Sequence, residues 1–241
     1  MAERSSFRAP SPRPAVRNEW RRRAEAEYRS AAVTHHLTQW LLLLAAPPSL
    51  VRSGLRIVGD ELAHSELSYR VYRSAGGDEP PRLLREALVL PRVPEAALEH
   101  DTGRAVVDLF CIGETVAVPL FHRLRRGCKV PIARAALDRI LKDEVRHRDF
   151  GWRALSWLLE LPAAGEIRAI LNRELAGYVT RIRRAYVREH GAPPFDEGDR
   201  AWGLMPAADY AEAVRRTEDE VWVPRFRELG IAWRAFREGP S

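Results

Sequence analysis

A carboxylate and an imidazole three positions apart occur twice in the chain, in Asp60-Glu61-Leu62-Ala63-His64 and in Asp143-Glu144-Val145-Arg146-His147. On an α-helix, positions i and i+3 lie about 60° apart, so each pair aims both groups at one spot. Two such pairs facing each other, completed by a lone Glu from each of two further helices, make a site for two metal ions. Steps of three and four through the second pair give Ala133, Leu137, Ile140, Glu144, His147, Gly151, Ala154 and Leu158. The same steps through the first give Leu50, Gly54, Ile57, Glu61, His64, Ser68 and Val71. Each line is a seam of apolar or small residues interrupted only by the pair, and an ionised Glu there is costly unless it is paired, hydrogen-bonded or metal-bound. A solvated pair, or a buried Glu–His hydrogen bond, explains one such seam more readily than two.

The lone carboxylates come from the neighbouring segments. Glu114 is the one charge on the seam Val107, Cys111, Glu114, Ala117 or Val118, Phe121 and Leu124. It lies 13 residues before Gly127, and Glu144 lies 13 after Pro131, so a turn at 127–131 brings both to one height. Glu27 is the one charge on the seam Trp20, Ala24, Glu27, Ala31, Thr34, Thr38, Leu41 and Ala45. Here the heights disagree. A turn at Pro47-Pro48 puts Glu27 roughly 9 Å past the level of Glu61, with Thr34 or His35 level instead. Either the first helix loosens in its last turn or His35 takes the place of the carboxylate.

These residues need four long helices. The sequence predicts an all-α fold: a helix from Asn18, as N-cap, to about Ala46; a second from Ser49 to Ser74; a crossover over 78–100 with a helical piece at 83–88; a third helix from Thr102 to Arg126; and a fourth ending near Leu161-Pro162. Long crossovers join helices that must run parallel. The reading divides the chain into a flexible basic tail (1–16), a four-helix unit (17–162) and a helical extension packed on it (163–241), with helices over 165–190 and 207–229, the latter interrupted by Pro224. The extension is free to wall a cavity, form a homodimer surface or shield the core. Glu174 lies in a helix so charged that a solvated role suits it better.

Composition limits the classes. The 241 residues carry a formal charge of +6, with Lys129 and Lys142 the only lysines. An arginine skew of this kind also follows from a GC-rich bacterial genome, so nucleic acid is a weak expectation. Cys111 and Cys128 are the only cysteines, which disfavours a disulfide scaffold, a zinc ribbon or a rubredoxin-type centre. The most apolar run, 40–46, is too short for a membrane span, and the first residues lack the apolar core of a signal peptide. A cytoplasmic protein is the expectation.

The set Glu27, Glu61-x-x-His64, Glu114, Glu144-x-x-His147 resembles the ferritin-like superfamily of carboxylate-bridged dimetal proteins, over residues 18–160. More narrowly the chain is similar to bacterial ferritin-like domain proteins, in which a Glu sits about twenty residues before a Pro-Pro pair and an Asp-Glu-x-x-His comes after it, a likeness that favours Glu27 over His35. The resemblance implies a ferritin-like four-helix bundle whose six ligands hold two iron ions, with manganese–iron as a variant. It implies dioxygen activation and oxidation of a small organic substrate. Asp60 and Asp143 would each accept a hydrogen bond from the opposite ligand histidine, and Tyr28 would sit beside the site. With no iron–sulfur or flavin motif, electrons would come from an external donor. Other readings are a tRNA-modifying hydroxylase, an iron-binding or oxidant-detoxifying protein, and a metal-free binding module.

Overall fold

Prolines set where three of the long helices begin. In the computed structural model, which describes residues 9–185 and 194–233, the helices are α1 (Pro14–Leu43), α2 (Pro48–Ser74), α3 (Leu98–Gly127) and α4 (Pro131–Leu158). Pro14, Pro48 and Pro131 occupy first turns, where a missing N–H costs nothing. The regular structure among the described residues is entirely helical. Beyond α4 come α5 (Ala164–Ala185) and the short α6 (Glu197–Ala201). A final helix, α7, starts as Ala207–Thr217 and continues through a π turn, Glu218–Trp222, into Val223–Glu228.

Side-chain partners give the helix directions. Ser30 meets Glu61 and Ser65 meets Ala24, so α1 and α2 are antiparallel. Arg153 reaches Ser53 while Asp143 meets His64, so α2 and α4 are antiparallel too. Arg125 meets Asp138 and Trp152 meets Thr115, which sets α3 against α4 in the same way. Hence α2 and α3 run parallel, and the chain between them must travel back along the fold. That stretch lies over α1, where Arg82 N–H donates to Glu25 and Leu90 N–H to His36 Nδ1 at 3.0 Å. Its helical piece is a single 3-10 turn, Arg85–Leu88.

Every position of the predicted α2 and α4 seams is buried. Apart from Leu124, the α3 seam holds only as far as Cys111. Past it the buried positions are Thr115, Val116, Leu120 and Leu124, while Ala117, Val118 and Phe121 are only partly covered. The cause is the π-helical stretch Val106–Glu114, whose wider turns insert an extra residue and rotate the rest of the helix. Gly151 of α4 makes room for it. A Cβ there would fall 3.0 Å from the Phe110 carbonyl carbon and 3.2 Å from Cys111 N.

Four boundaries differ from the sequence reading. Asn18 lies inside α1, which opens at Pro14 within the supposed tail. Arg13 pairs with Asp199 at 3.0 Å and Trp202 Nε1–H donates to the Pro10 carbonyl at 2.9 Å, so residues 9–16 pack on the segment around α6. Residues 1–8, 186–190 and 234–241 of the predicted elements lie outside the described residues. The first helix ends at Leu43, because Leu44 to Ala46 turn back, with Ala45 at φ 55° and Ala46 N–H donating to Leu41 O at 2.9 Å. α3 begins at Leu98 rather than Thr102. By length and composition α3 is also the one described helix apolar enough to cross a membrane, and half of that apolar window is buried in the protein.

Candidate metal centre

Six side chains from the four long helices converge: Glu27 of α1, Glu61 and His64 of α2, Glu114 of α3, Glu144 and His147 of α4. Glu61, His64, Glu144 and His147 are each 2% exposed or less. The Glu27 and Glu114 side chains keep 11% and 15%. Glu61 points one oxygen at each histidine: Oε2 is 3.5 Å from His64 Nδ1, and Oε1 is 3.5 Å from His147 Nδ1. Glu144 does the same at 3.8 Å, Oε1 to His64 and Oε2 to His147. Glu27 Oε2 approaches only His64 Nδ1, at 3.8 Å, and Glu114 Oε2 only His147 Nδ1, at 3.9 Å. Two carboxylates thus span both imidazoles, and each imidazole has one further carboxylate of its own.

These separations suit cations. Around an ion about 2.1 Å from its ligands, neighbouring ligand atoms at right angles are about 3.0 Å apart and opposite ones about 4.2 Å. Glu27, Glu61 and His64 can bring ligand atoms within 4.8 Å of one another, and so can Glu61, Glu114 and His147. Glu61 belongs to both groups. His64 Nδ1, His147 Nδ1, Glu61 Oε2 and Glu144 Oε2 are all buried without a hydrogen-bond partner. Four such atoms facing one another are expensive in an apolar core unless an ion or protons sit among them.

The other ring nitrogens point outward. His64 Nε2 is 3.2 Å from Asp143 Oδ2, and His147 Nε2 is 3.5 Å from Asp60 Oδ2. The first is within hydrogen-bond reach and the second stands slightly beyond it. A proton on Nε2 facing an aspartate leaves the Nδ1 lone pair free for an ion. Arg146 clasps both aspartates, at 2.6 Å to Asp143 and 3.0 Å to Asp60, and Arg139 bonds Asp143 as well. The sequence reading missed both arginines. They sit four before and three after Asp143, on its face of the helix, but their grip on Asp60 is a tertiary contact. Ser30 was missed too; its hydroxyl donates to Glu61 Oε1 at 2.8 Å.

The height of Glu27 is explained by the short α1. With the turn at 44–47, Ser30 rather than Thr34 or His35 is level with Glu61, and Glu27 is level with His64. His35 is exposed and takes no part. Tyr28 is 40% exposed and lines a surface cavity instead of the centre. Glu174 is bound by Arg104 and Tyr178, away from the cluster.

Without an ion the cluster must hold protons. Burial pushes Glu27 up from 4.5 to about 8, reinforced by the Glu61 charge and opposed by His64. Burial also raises Glu114 and Glu144, the latter further because it faces Glu114. Glu61 goes the other way: burial is overcome by bonds from His147 and His64, and its pKa falls below the usual carboxylate range. His64 rises to about 10 and His147 also rises, burial being outweighed by the carboxylates around them. Asp143 falls to about 2, since Arg139, Arg146 and His64 together outweigh its burial. The sum is a site whose protons a bound cation could replace.

Two cavities are lined by chain neighbours of the two less buried carboxylates. One of about 480 Å³ is walled by Tyr28, Ala31, Val58 and Leu62, beside Glu27. The other, about 760 Å³, reaches Thr115 and Val118 beside Glu114. No family model matches the chain, and no curated protein or solved structure matches it either.

Proposed function

We propose that the chain is a ferritin-like dimetal protein, a diiron oxidase or oxygenase that uses dioxygen to oxidise a small organic molecule, with electrons from a separate donor. What supports this reading above all is the pair of buried, unpartnered Nδ1 atoms, each facing its own carboxylate and both spanned by Glu61 and Glu144. Two hard-to-intermediate cations suit a set of four carboxylates and two imidazoles. Bound iron would supply reductive activation of dioxygen, which side chains alone do not offer.

The chain's own groups have distinct duties. Asp143 fixes the His64 ring, and Arg139 and Arg146 keep that carboxylate ionised so that Nε2–H remains the donor, while Asp60, held by Arg146, faces His147 Nε2 at 3.5 Å. Ser30 fixes the rotamer of Glu61. Glu27 and Glu114, the two with residual exposure, are the carboxylates able to shift when a substrate or proton arrives. The apolar seams above and below exclude water.

Metal analysis tests the reading. Protein grown with iron and manganese should carry about two ions per chain, and Glu144→Ala or His147→Ala should lose most of them. Dioxygen added to the reduced, iron-loaded protein should give a visible absorption change. Equal metal content in both variants and the parent would move the site elsewhere. A stable fold with no bound metal would replace the enzyme reading by that of a helical binding module.

A further inference from the structure

The larger cavity has a chemical character of its own. Arg123 and Arg126 of α3, Arg148 of α4, Arg200 of α6 and Arg216 of α7 line it, against Asp209 and Glu220 as the only acids among the described residues. Four of these five arginines also pair with a carboxylate: Arg123 with Glu212 at 3.5 Å, besides donating to the Asp209 carbonyl at 2.9 Å, Arg148 with Asp149, Arg200 with Glu197, and Arg216 with Glu220. A guanidinium has five N–H donors, so each keeps some free. Arg126 has no hydrogen bond or ion pair with any described residue. Guanidinium forks lining one cavity suit the planar or tetrahedral oxygens of carboxylate and phosphate.

The lining of the cavity includes close neighbours of two residues of the centre. Thr115, 2% exposed, lines it and is the residue after Glu114; Val118 lies one turn past Glu114; Arg148 is the residue after His147. Of the six clustered side chains Glu114 is the most exposed. A volume of about 760 Å³ is within the usual range for a small-molecule site. On the opposite side, beside Glu27, the walls are mostly apolar.

We propose that this cavity binds the carboxylate or phosphate of a small organic anion, which is the substrate of the centre and enters on the Glu114 side. The proposal rests on the dimetal reading for the substrate role, and on the arginines alone for anion binding.

Calorimetric titration of the full chain with inorganic phosphate, and separately with succinate, tests it. Saturable binding is expected, about tenfold weaker in Arg126→Ala and in Arg216→Ala, which remove donors from opposite walls. Arg70→Ala, which removes an exposed arginine of α2, should leave it unchanged. The tighter of the two anions names the substrate's charged group. In manganese-loaded protein the phosphorus resonance of bound phosphate should broaden, because the floor of the cavity adjoins Glu114. Failure of both anions to saturate, or equal weakening in Arg70→Ala, would overturn the anion site while leaving the metal reading intact. Anion binding by a chain that takes up no metal would overturn the substrate role together with the dimetal reading.

Discussion

The hairpin of α1 and α2 and the hairpin of α3 and α4 deliver the same residue types to one point with different backbones. In the first, an unbroken α-helix places Glu27 one turn off the level of Glu61, opposite His64. In the second, Glu114 likewise lies opposite His147, with its Oε2 3.9 Å from His147 Nδ1 and Gly151 one turn on against Phe110 and Cys111, but the helix reaches it through a π-helical stretch that ends at Glu114 itself. The four bridging contacts are nevertheless paired, 3.5 Å from Glu61 and 3.8 Å from Glu144 to each Nδ1. Ligand symmetry therefore does not require backbone symmetry. What differs is access: apolar walls beside Glu27, arginines beside Glu114.

The sharpest way to break the comparison is to remove a spanning carboxylate and a single-histidine carboxylate in turn. Glu61→Ala takes a ligand from both histidines and should abolish metal uptake. Glu27→Ala leaves the His147 side with Glu61, Glu114 and Glu144, and should retain roughly one ion of two, as read by metal content per chain. Equal loss in the two variants would mean that the two sides fill only together.

The glycines at the two hairpin contacts should separate next. At Gly54 an added methyl meets the Thr38 side chain, a hydroxyl and a methyl at 3.3 Å that can rotate away. At Gly151 it meets the backbone of Phe110 and Cys111, which cannot. Gly151→Ala should therefore cost about 2 kcal/mol or more by denaturant unfolding. Gly54→Ala should stay within about 1 kcal/mol, since alanine's better helix propensity offsets part of the strain.

The two hairpins were also unequally legible. α2 and α4 keep a strict period of 3.6, so their seams, and with them both Glu-x-x-His pairs, could be read residue by residue. The end of α1 could not: Leu42 and Leu43 look like core but are exposed, and the chain leaves the helix at an apolar stretch with no Gly to mark it. That error of three residues is what made His35 a rival to Glu27. The π stretch has no local signature either, because it is fixed by the fit of Phe110 against Gly151 across the helix pair. α6 carries a signal in Asp196 and Asp199, whose side chains form a capping box, between the helices expected over 165–190 and 207–229. Arg139 and Arg146 resemble any surface arginine until α2 is packed beside them.

The outward hydrogen bonds of the histidines should give a smaller difference. Asp143 bonds His64 at 3.2 Å, whereas Asp60 stands 3.5 Å from His147 and is held by Arg146 instead. Asp143→Asn should weaken metal binding by about 10- to 100-fold, and Asp60→Asn by less, in competition titrations against a chelator.

Proton exchange is the subtlest consequence and concerns the first hairpin most directly. In the metal-free protein Glu27 titrates near 8 and His64 near 10, both above their ordinary values of 4.5 and 6.5. Each group binds its proton more tightly folded than unfolded, so its contribution to stability is fully present below the ordinary value and is lost as pH rises through the raised one. Glu61, with a depressed pKa, opposes this only at acid pH. The metal-free protein should then lose melting temperature between about pH 5 and pH 10, from the ordinary value of Glu27 to the raised value of His64, while Asp143, at about 2, keeps its contribution throughout that range. Cations replace those protons, so the loaded protein should show a flatter profile. Its apparent metal affinity should rise with pH up to about 10, as first Glu27 and then His64 give up their protons in the free site. In Glu27→Gln the rise should be shallower by about one proton per chain, because a group that cannot ionise has none to release.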